Sequence, residues 1–512
     1  MIEIGLGWAS FGLVILILVV FNYIVVKYYS DKHESEKITT VISIIGLTLA
    51  LLCVMIIPVD ILNVSTISNS SGNVTMSQND IDNRGQSIRI VYYVLYAAIM
   101  LCALILIPFA YFYYEEYDEN VSAASRTAGA CKFTAFFVAF ALIILIVGAF
   151  IRPDSKPPVE NENIKLWIQN EVVNQNAAES AVLFSIACLT VLGFLVWITY
   201  TAYGFSAFPI GLIKGYRRVS DDKNDISRDL HKTREKAKYF SSKYASGKKL
   251  SRSEESSLSL LKDQERALEN RSYKLDQSTR GIRKVLGIFR PFSFIFGFVF
   301  LLISLLIIIS IVLSVIDKIS SSICGSACGF LVTYPNLKNP IDIVLVQLAP
   351  YFPLDYFILG ALIFYIFFVT LSGIVKIGIR FLWVHMYDFK YRKTMPQGLL
   401  IAAMLLMLSI LCLNVQILSL APRYAMFGTQ VWYNATSGDV EPCSIEAPST
   451  ACTMSQIGVL SSRIQMGTAF FGIIYYYATW VFVGTFLLGA IVALIKRRKS
   501  NIEISDSDDE EF

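Results

Sequence analysis

Apolar runs long enough to cross a membrane recur nine times along the chain, at about 8–26, 39–59, 89–113, 132–151, 179–203, 291–316, 354–379, 398–421 and 471–495. A helix needs roughly 18–20 apolar residues to span the hydrocarbon layer. Backbone polar groups cannot be left open there, so runs of this length predict helices. One long polar stretch interrupts the series, between the fifth and sixth runs. The pattern therefore predicts an all-α polytopic membrane protein of nine transmembrane helices, with a helical hairpin inserted between helices 5 and 6. Its expected parts are helices 1–5 in 1–203, the insert in 204–290, helices 6–9 in 291–495 with loops 317–353 and 422–470, and a tail in 496–512.

Inside the insert, SDDKNDIS makes a polar start and Gly247 breaks the pattern. Ser251 and Glu254 then fit an S-x-x-E capping box that opens a second helix. Leu261, Leu268, Leu275 and Ile282 recur every seven residues and draw one apolar seam. The intervening positions are mostly polar, so this seam is expected to pack on the first arm of the hairpin.

Composition agrees with the pattern. The chain is 55% hydrophobic and only 16% charged, against about 25% charged in soluble domains. The net charge of +4 matters less than where the basic residues lie. Lys27, Lys32 and Lys37 follow the first run; Arg380, Lys390, Arg392 and Lys393 follow the seventh; KRRK at 496–499 follows the ninth. The alternate loops are poorer in Lys and Arg. The positive-inside rule then places the insert and the C-terminus in the cytosol and the N-terminus in the lumen. No basic residue precedes the first run, MIEIGLGWASFGLVILILVV, so it reads as a retained helix and not a cleaved signal. Asn69, Asn73 and Asn434 head Asn-X-Ser/Thr acceptor sequons in loops expected to be lumenal. Asn63 is a fourth, close to the bilayer, whereas Asn120 and Asn270 fall on the cytosolic side and are expected to be silent.

Candidate chemistry is sparse. Cys53, Cys102, Cys131, Cys188 and Cys412 fall in or beside apolar runs and read as small hydrophobes. Cys443 and Cys452 share a loop where oxidation is permitted, and a disulfide between them is expected; Cys324 and Cys328 form a second pair of the same kind. His33, His231 and His385 are far apart, and no zinc site, phosphate-binding loop or catalytic dyad takes shape. The expectation is a protein that is not an enzyme, holds no metal and contacts no nucleic acid. Charges at membrane depth point further. Asp60 follows Pro58-Val59, Asp355 follows Pro353-Leu354, and Lys376 lies in FVTLSGIVKIGI. Either the two acids cap helix ends, or they face a lumenal vestibule between helices; Lys376 either snorkels to the interface or faces that cavity. Tyr216 and Val219 (YRRV) fit the tyrosine-based signal read by clathrin adaptors, a short pattern that also arises by chance. The tail, SDSDDEEF, is a solvated acidic run or a partner-binding one, with Ser505 and Ser507 as phosphate acceptors.

Several longer strings carry a resemblance. IIPVD at Ile56–Asp60, PFAYFYYEE at Pro108–Glu116, TYTAYGFSAFPIGLIKG at Thr199–Gly215, FPLDY at Phe352–Tyr356, SLAPRYAMFG at Ser419–Gly428 and the acidic tail occur in order. Together they resemble the limb-region-1-type (LMBR1-like) membrane protein family over nearly the whole chain. The resemblance implies nine spans with a lumenal N-terminus. It also implies a multi-pass protein of the lysosomal membrane, with a plasma-membrane pool, serving export of cobalamin. The partner it implies is an ABC-type transporter that supplies the ATPase; further partner expectations are a clathrin adaptor and a second copy of the chain. Another branch of the family implies an alternative, an endocytic surface receptor for lipocalins. No cobalamin-ligating residue carries over. Because no histidine lies in a lumenal or membrane segment, cobalamin as cargo would be held by its corrin and amide periphery.

Overall fold

The computed structural model describes residues 2–31, 36–69, 71–116, 122–151, 164, 168, 176–215, 219–245, 252–278, 290–322, 325, 330, 332, 336–351, 353–381, 384–434, 438–448, 450–466 and 469–496. The first helices are α1 (Ile2–Tyr29), α2 (Lys37–Met55), α3 (Ile57–Ser65), α4 (Gln78–Leu101), α5 (Ile107–Glu115) and α6 (Ala123–Phe150). Then come α7 (Ala177–Val196), α8 (Ala202–Lys214), α9 (Val219–Ala245), α10 (Arg252–Ser278) and α11 (Arg290–Ser320). The remainder comprises α12 (Pro340–Leu348), α13 (Leu354–Ile377), α14 (Pro396–Leu420), α15 (Pro422–Phe427), α16 (Gln456–Met466) and α17 (Ala469–Ile495). Two small antiparallel hairpins accompany them, β1 (Ile379–Phe381) with β2 (Val384–Tyr387), and β3 (Val431–Tyr433) with β4 (Val440–Pro442).

Among the described residues nine segments are long and apolar enough to cross a membrane: Phe11–Tyr29, Lys37–Ser65, Gln78–Glu115, Ala123–Phe150, Ala177–Lys214, Phe292–Ser320, Leu354–Ile377, Pro396–Leu420 and Phe470–Ile495. The architecture is that of an all-α polytopic membrane protein. Some expected boundaries were too short. The second segment turns at Ile56 and continues past Pro58 to Ser65, because Pro58 sits in the first turn of α3, where its missing N–H costs no bond. The fifth runs on through Pro209 to Lys214. The third and fifth are each interrupted by one π-helical turn, Cys102–Leu106 and Trp197–Thr201.

The chain divides into two compact units. The first comprises Met1–Ser206 and Ile303–Gly489. At its centre is α14, mostly apolar around its circumference and buried along most of its length, packed on α2, α5 and α7. A helix with no polar face belongs inside a bundle. In hydrocarbon, packing of this kind depends on small residues that let backbones approach. Gly204 lies against the Val369 carbonyl and Gly373 against the Tyr200 carbonyl, so a Cβ at either would sit 2.1 Å from an oxygen. Beside that crossing, the Thr201 hydroxyl lies 2.9 Å from that of Thr370 and 3.1 Å from that of Ser409. By contrast α1, α6 and α17 leave long apolar faces exposed, as lipid-facing helices do.

The second unit comprises Ala207–Leu302 and Ala490–Phe512. Within it Lys214 Nζ donates to the carbonyls of Ala493, Leu494 and Lys496 at 2.8, 2.6 and 2.8 Å, closing the C-terminal end of α17 with a cation. Helices α9 and α10 lie side by side, joined by Arg234, which reaches Glu265 at 2.7 Å and also Glu269. Tyr216, Gly247, Ser251, Ile282, Cys324, Cys328, Asn120, Ser505 and Ser507 lie outside the described residues, as do the side chains of Val219, Glu254 and Leu275.

The backbone approach makes a prediction. Gly373→Val should destabilise the bundle by roughly 3 kcal/mol or more, since the neighbour is a helix carbonyl that cannot yield. Gly484→Ala, whose Cβ would meet nothing within 4 Å, should leave the melting temperature in detergent unchanged. Equal melting of both variants would contradict the packing described.

Candidate functional site

The polar chemistry of the first unit converges on the segment 422–466, which forms a folded cap over one end of the helices. Asp60 is the first anchor. It sits in the first turn of α3 and is fully buried. Its Oδ1 accepts the Gln456 N–H at 3.1 Å and its Oδ2 the Ile457 N–H at 2.8 Å. These are the opening N–H groups of α16, which have no partner within the helix. The Ser455 hydroxyl accepts the next, from Gly458, at 3.0 Å, and donates to the Ala425 carbonyl. An anion at a helix N-terminus is doubly favoured, by hydrogen bonds and by the helix dipole. The Gln456 side chain in turn accepts from Arg89 Nε at 2.8 Å. Further along α16, buried Arg463 donates to the Tyr93 hydroxyl at 3.1 Å and pairs with Glu179 at 3.9 Å.

A second anchor is built on Tyr424, also fully buried. Asp342 Oδ1 accepts its backbone N–H and Asp355 Oδ2 accepts its hydroxyl, both at 2.8 Å. Asn339 caps α12, accepting from Ile341 N, and so sets the position of Asp342. The same side chain donates to the Ser310 carbonyl, the Ser314 hydroxyl and the Ser419 carbonyl at 3.1, 3.1 and 3.3 Å, joining α11, α12 and α14. Next to Asp355, the Tyr356 hydroxyl donates to the Met55 carbonyl at the end of α2. Burial raises the Asp342 carboxyl from its ordinary 3.8 to about 6, outweighing the hydrogen bonds from Tyr424 and the Arg423 charge. Burial and then the Asp355 charge raise the Tyr424 phenol well above its usual range, so it stays a donor.

Of the two readings of Asp60 and Asp355, helix-end capping or a vestibule, the geometry bears on the first: Asp60 accepts from the opening N–H groups of α16. Both carboxylates are buried; Asp60 is engaged through both oxygens and Asp355 through Oδ2, while Asp355 Oδ1 has no hydrogen-bond partner among the described residues. Lys376, half-buried in the last turn of α13, stands where a cation suits a helix C-terminus.

The cap has its own small core of Phe427, Cys443, Ile445, Cys452, Met454 and Val459, with Ile164 and Ile168 packed in. Cys443 and Cys452 are joined by a disulfide, Cα–Cα 5.7 Å, closing a loop of separation 9. A closure of that length removes about 2–3 kcal/mol of unfolded-chain entropy. The 66–75 loop packs on the same cap. Gly72, at φ +79°, lies so close to strand β3 that a Cβ would sit 2.5 Å from the Tyr433 nitrogen. Asn69 and Asn73 are exposed, with Asn69 Oδ1 accepting from Ser71 N and Asn73 N. Asn434 is half-buried and its amide donates to Glu441, while Asn63 is buried in α3.

Sequence reasoning missed Asp342, Tyr424, Asn339 and Asn414. Asn414 Nδ2 donates to Cys53 Sγ at 3.1 Å in the bundle interior, while its Oδ1 and the Tyr92 hydroxyl are buried without a hydrogen-bond partner among the described residues. Of these, Asn339-Pro340 followed by Asp342 is a helix-start signature that could have been read. Among the described residues no group of three or more His, Cys, Asp or Glu could hold a metal. A cavity of about 50 Å³ lies beneath the cap, lined by residues including Asp317, Lys318, Phe330, Met426 and Gln465. That is room for a few waters, far below the roughly 300–1,000 Å³ of a site for a drug-sized ligand.

Geometry and helix pattern define a polytopic helical membrane protein with a disulfide-closed, acid-anchored cap. The chain belongs to the LMBR1-like membrane protein family, whose sequence model matches residues 8–288. It is 64% identical to the "Probable lysosomal cobalamin transporter" of Dictyostelium discoideum, over 100% of both chains. It is 34% identical to the protein of the same name from Nematostella vectensis, over 99% of this chain and 98% of that one. It is likewise 34% identical to the "Lysosomal cobalamin transport escort protein LMBD1" of Bos taurus, over 100% of this chain and 96% of the other. No solved structure matches.

Two measurements test the anchors. Asp60→Asn leaves one oxygen to accept and turns an amide toward a backbone N–H, so it should cost about 2–3 kcal/mol. Its melting temperature in detergent should fall, and any functional loss should track the loss of folded protein. For Asp342, the folded chain binds the proton more tightly than the unfolded chain. Its contribution to stability is therefore complete below about 4 and is lost as pH rises toward about 6. Melting temperature should rise on acidification across that window, and Asp342→Asn should flatten the rise; an unchanged slope would remove Asp342 from the account.

Proposed function

We propose that this protein serves export of cobalamin from the lysosome to the cytosol, as the partner of an ABC-type transporter that performs the ATP-driven step. The observation that carries this reading is end-to-end similarity to proteins named as lysosomal cobalamin transporters and escort proteins. The escort form rests on the name of the Bos taurus relative. We place the N-terminus and the cap in the lumen, and the α9–α10 pair and the C-terminus in the cytosol, following the distribution of Lys and Arg. A cap that gains stability through Asp342 on acidification suits an acidic compartment.

Cells lacking the protein should accumulate cobalamin in lysosomes, and the intact chain should reverse this. Liposomes holding the purified chain alone should not take up cobalamin; uptake there would make it a transporter in its own right. Saturable surface uptake of a lipocalin, with normal lysosomal cobalamin, would instead favour the receptor reading.

Access also sorts the acceptor sequons. Asn69→Gln with Asn73→Gln should remove most of the mobility shift produced by glycosidase, Asn434→Gln less, and Asn63→Gln none. A shift that survives loss of Asn69 and Asn73 at full size would overturn the placement of that loop in the lumen.

A further inference from the structure

A second surface, distinct from the cap, is assembled where three membrane-helix ends meet: the last turn of α1, the last turn of α13 and the first turn of α14. The β1–β2 hairpin hangs between α13 and α14. The segment that follows it is tied to the end of α1: Ser30 bridges Thr394, Arg392 N donates to the Tyr28 carbonyl at 3.2 Å, and Thr394 N donates to the Tyr29 carbonyl at 3.3 Å. Arg380 N donates to the Tyr200 hydroxyl at 3.2 Å, and the Tyr387 and Tyr111 hydroxyls lie 3.2 Å apart. The chain leaves α13 through Gly378 at φ +78°, where a Cβ would sit 2.8 Å from His385 Nε2. The hairpin is thus a fixed element and not a trailing loop.

Its outer face does not suit water. Val384 and Met386 are two residues apart on one strand and so share a face; they are 65% and 43% exposed, and Met395 nearby is 53% exposed. Yet both ends of the hairpin run directly into membrane helices, Leu354–Ile377 and Pro396–Leu420. The medium beside it is the headgroup layer, where aromatic rings are also favoured. Tyr28 and Tyr391 pack there with ring centroids 4.4 Å apart, and the Arg392 guanidinium lies 5.0 Å over the Tyr391 ring.

The charge of this surface is positive. Lys27, Arg380, Lys390 and Arg392 are exposed and Lys393 is half-buried, against the acids Asp31, Glu115 and Asp388. Asp388 is already engaged, by Lys390 at 2.9 Å and His385 at 3.0 Å, and Lys390 holds its carboxyl below the usual range. Glu115 faces Gln397 at 3.4 Å. Three cations on and after the hairpin, Arg380, Arg392 and Lys393, make no ion pair among the described residues, and nor does Lys27 on α1; Arg380 Nε donates to the Ile377 carbonyl at 3.2 Å.

We infer that this surface binds anionic lipid headgroups of the leaflet it lies in, with Val384 and Met386 set at the headgroup–acyl boundary. The apolar pair fixes depth and the three cations supply preference for negative lipid. A soluble anion would use the cations but gain nothing from the exposed Val384 and Met386, which is why a lipid is the occupant that fits.

The test uses the purified full chain in detergent, with bound lipid counted by native mass spectrometry. Phosphatidylserine and phosphatidylcholine of equal acyl length are offered together. The wild-type chain should retain phosphatidylserine preferentially. At about fivefold per basic residue, the triple variant R380Q/R392Q/K393Q should lower that retention by well over tenfold, and Met386→Ser should lower it by less. Equal retention by the triple variant overturns the inference. Should that variant fail to fold, the wild-type chain still decides. Raising salt from about 0.1 M to about 1 M shortens the screening length from about 10 to 3 Å, and should release phosphatidylserine while leaving phosphatidylcholine. Retention indifferent to salt overturns the inference, as does displacement of the lipid by millimolar inorganic phosphate, which would mark a site for a free anion.

Discussion

The structure depends on one carboxylate, Asp60, whose two oxygens accept two backbone N–H groups at the start of a distant helix. Inserting an acid at membrane depth costs on the order of 3 kcal/mol. Hydrogen bonds to a charged group contribute about 1.5–3 kcal/mol each. Two such bonds, with the dipoles of α16 aligned toward the acid, offset that cost. The arrangement also resolves a second difficulty, since a buried helix start leaves donors open. With Asp60 on Gln456 and Ile457, and Ser455 on Gly458, the opening turn of α16 is satisfied without water. Either partner alone would be a liability in the interior. Together they fix the cap to the end of α2 and α3.

Tyr424 repeats the solution in another form. A short helix between α14 and β3 has little surface of its own to bury. Acids from two separate elements hold it, Asp342 at the backbone and Asp355 at the ring hydroxyl. The disulfide and the small core around Phe427 then make the rest of the cap self-supporting. Local devices close the cap, and long-range carboxylates attach it.

This division explains what could be read from the chain. Nine spans were legible because hydropathy over twenty residues is a sum that no single contact can reverse. Helix ends were less so, since the signal at Pro58 reads equally as a stop or as the first turn of a new helix. Asp60 and Asp355 stood out because an acid after proline at membrane depth is costly. Their partners were illegible: Gln456 and Ile457 offer backbone N–H groups, which every residue carries, and they lie 396 and 397 positions away. An acid whose partner cannot be seen reads either as a cap on the end of its own helix or as part of a vestibule, and sequence alone does not separate the two. The disulfide was legible for the opposite reason, because both of its members lie in one short loop. The hairpins β1–β2 and β3–β4 were missed because strands of three or four residues carry too little period-2 pattern to register.

The same bonding bears on how a bulky polar cargo would cross. Such a molecule, rich in amides, needs polar partners along its path that are free to engage it. In the interior described here some of those groups are engaged with one another, while others, among them the Tyr92 and Tyr96 hydroxyls and Asn414 Oδ1, are buried without a hydrogen-bond partner among the described residues. Asn22 donates to Thr48, Gln416 to Thr479 and Asn414 to Cys53, and Thr201, Thr370 and Ser409 cluster. Gly204 and Gly373 bring the backbone at Tyr200–Gly204 into contact with α13 at Val369 and Gly373. A route through this bundle would have to exchange these bonds for bonds to cargo, all at once and in low dielectric, where a lost hydrogen bond is costly. What the bundle holds in place is a cap at one end and a basic, aromatic hairpin at another surface.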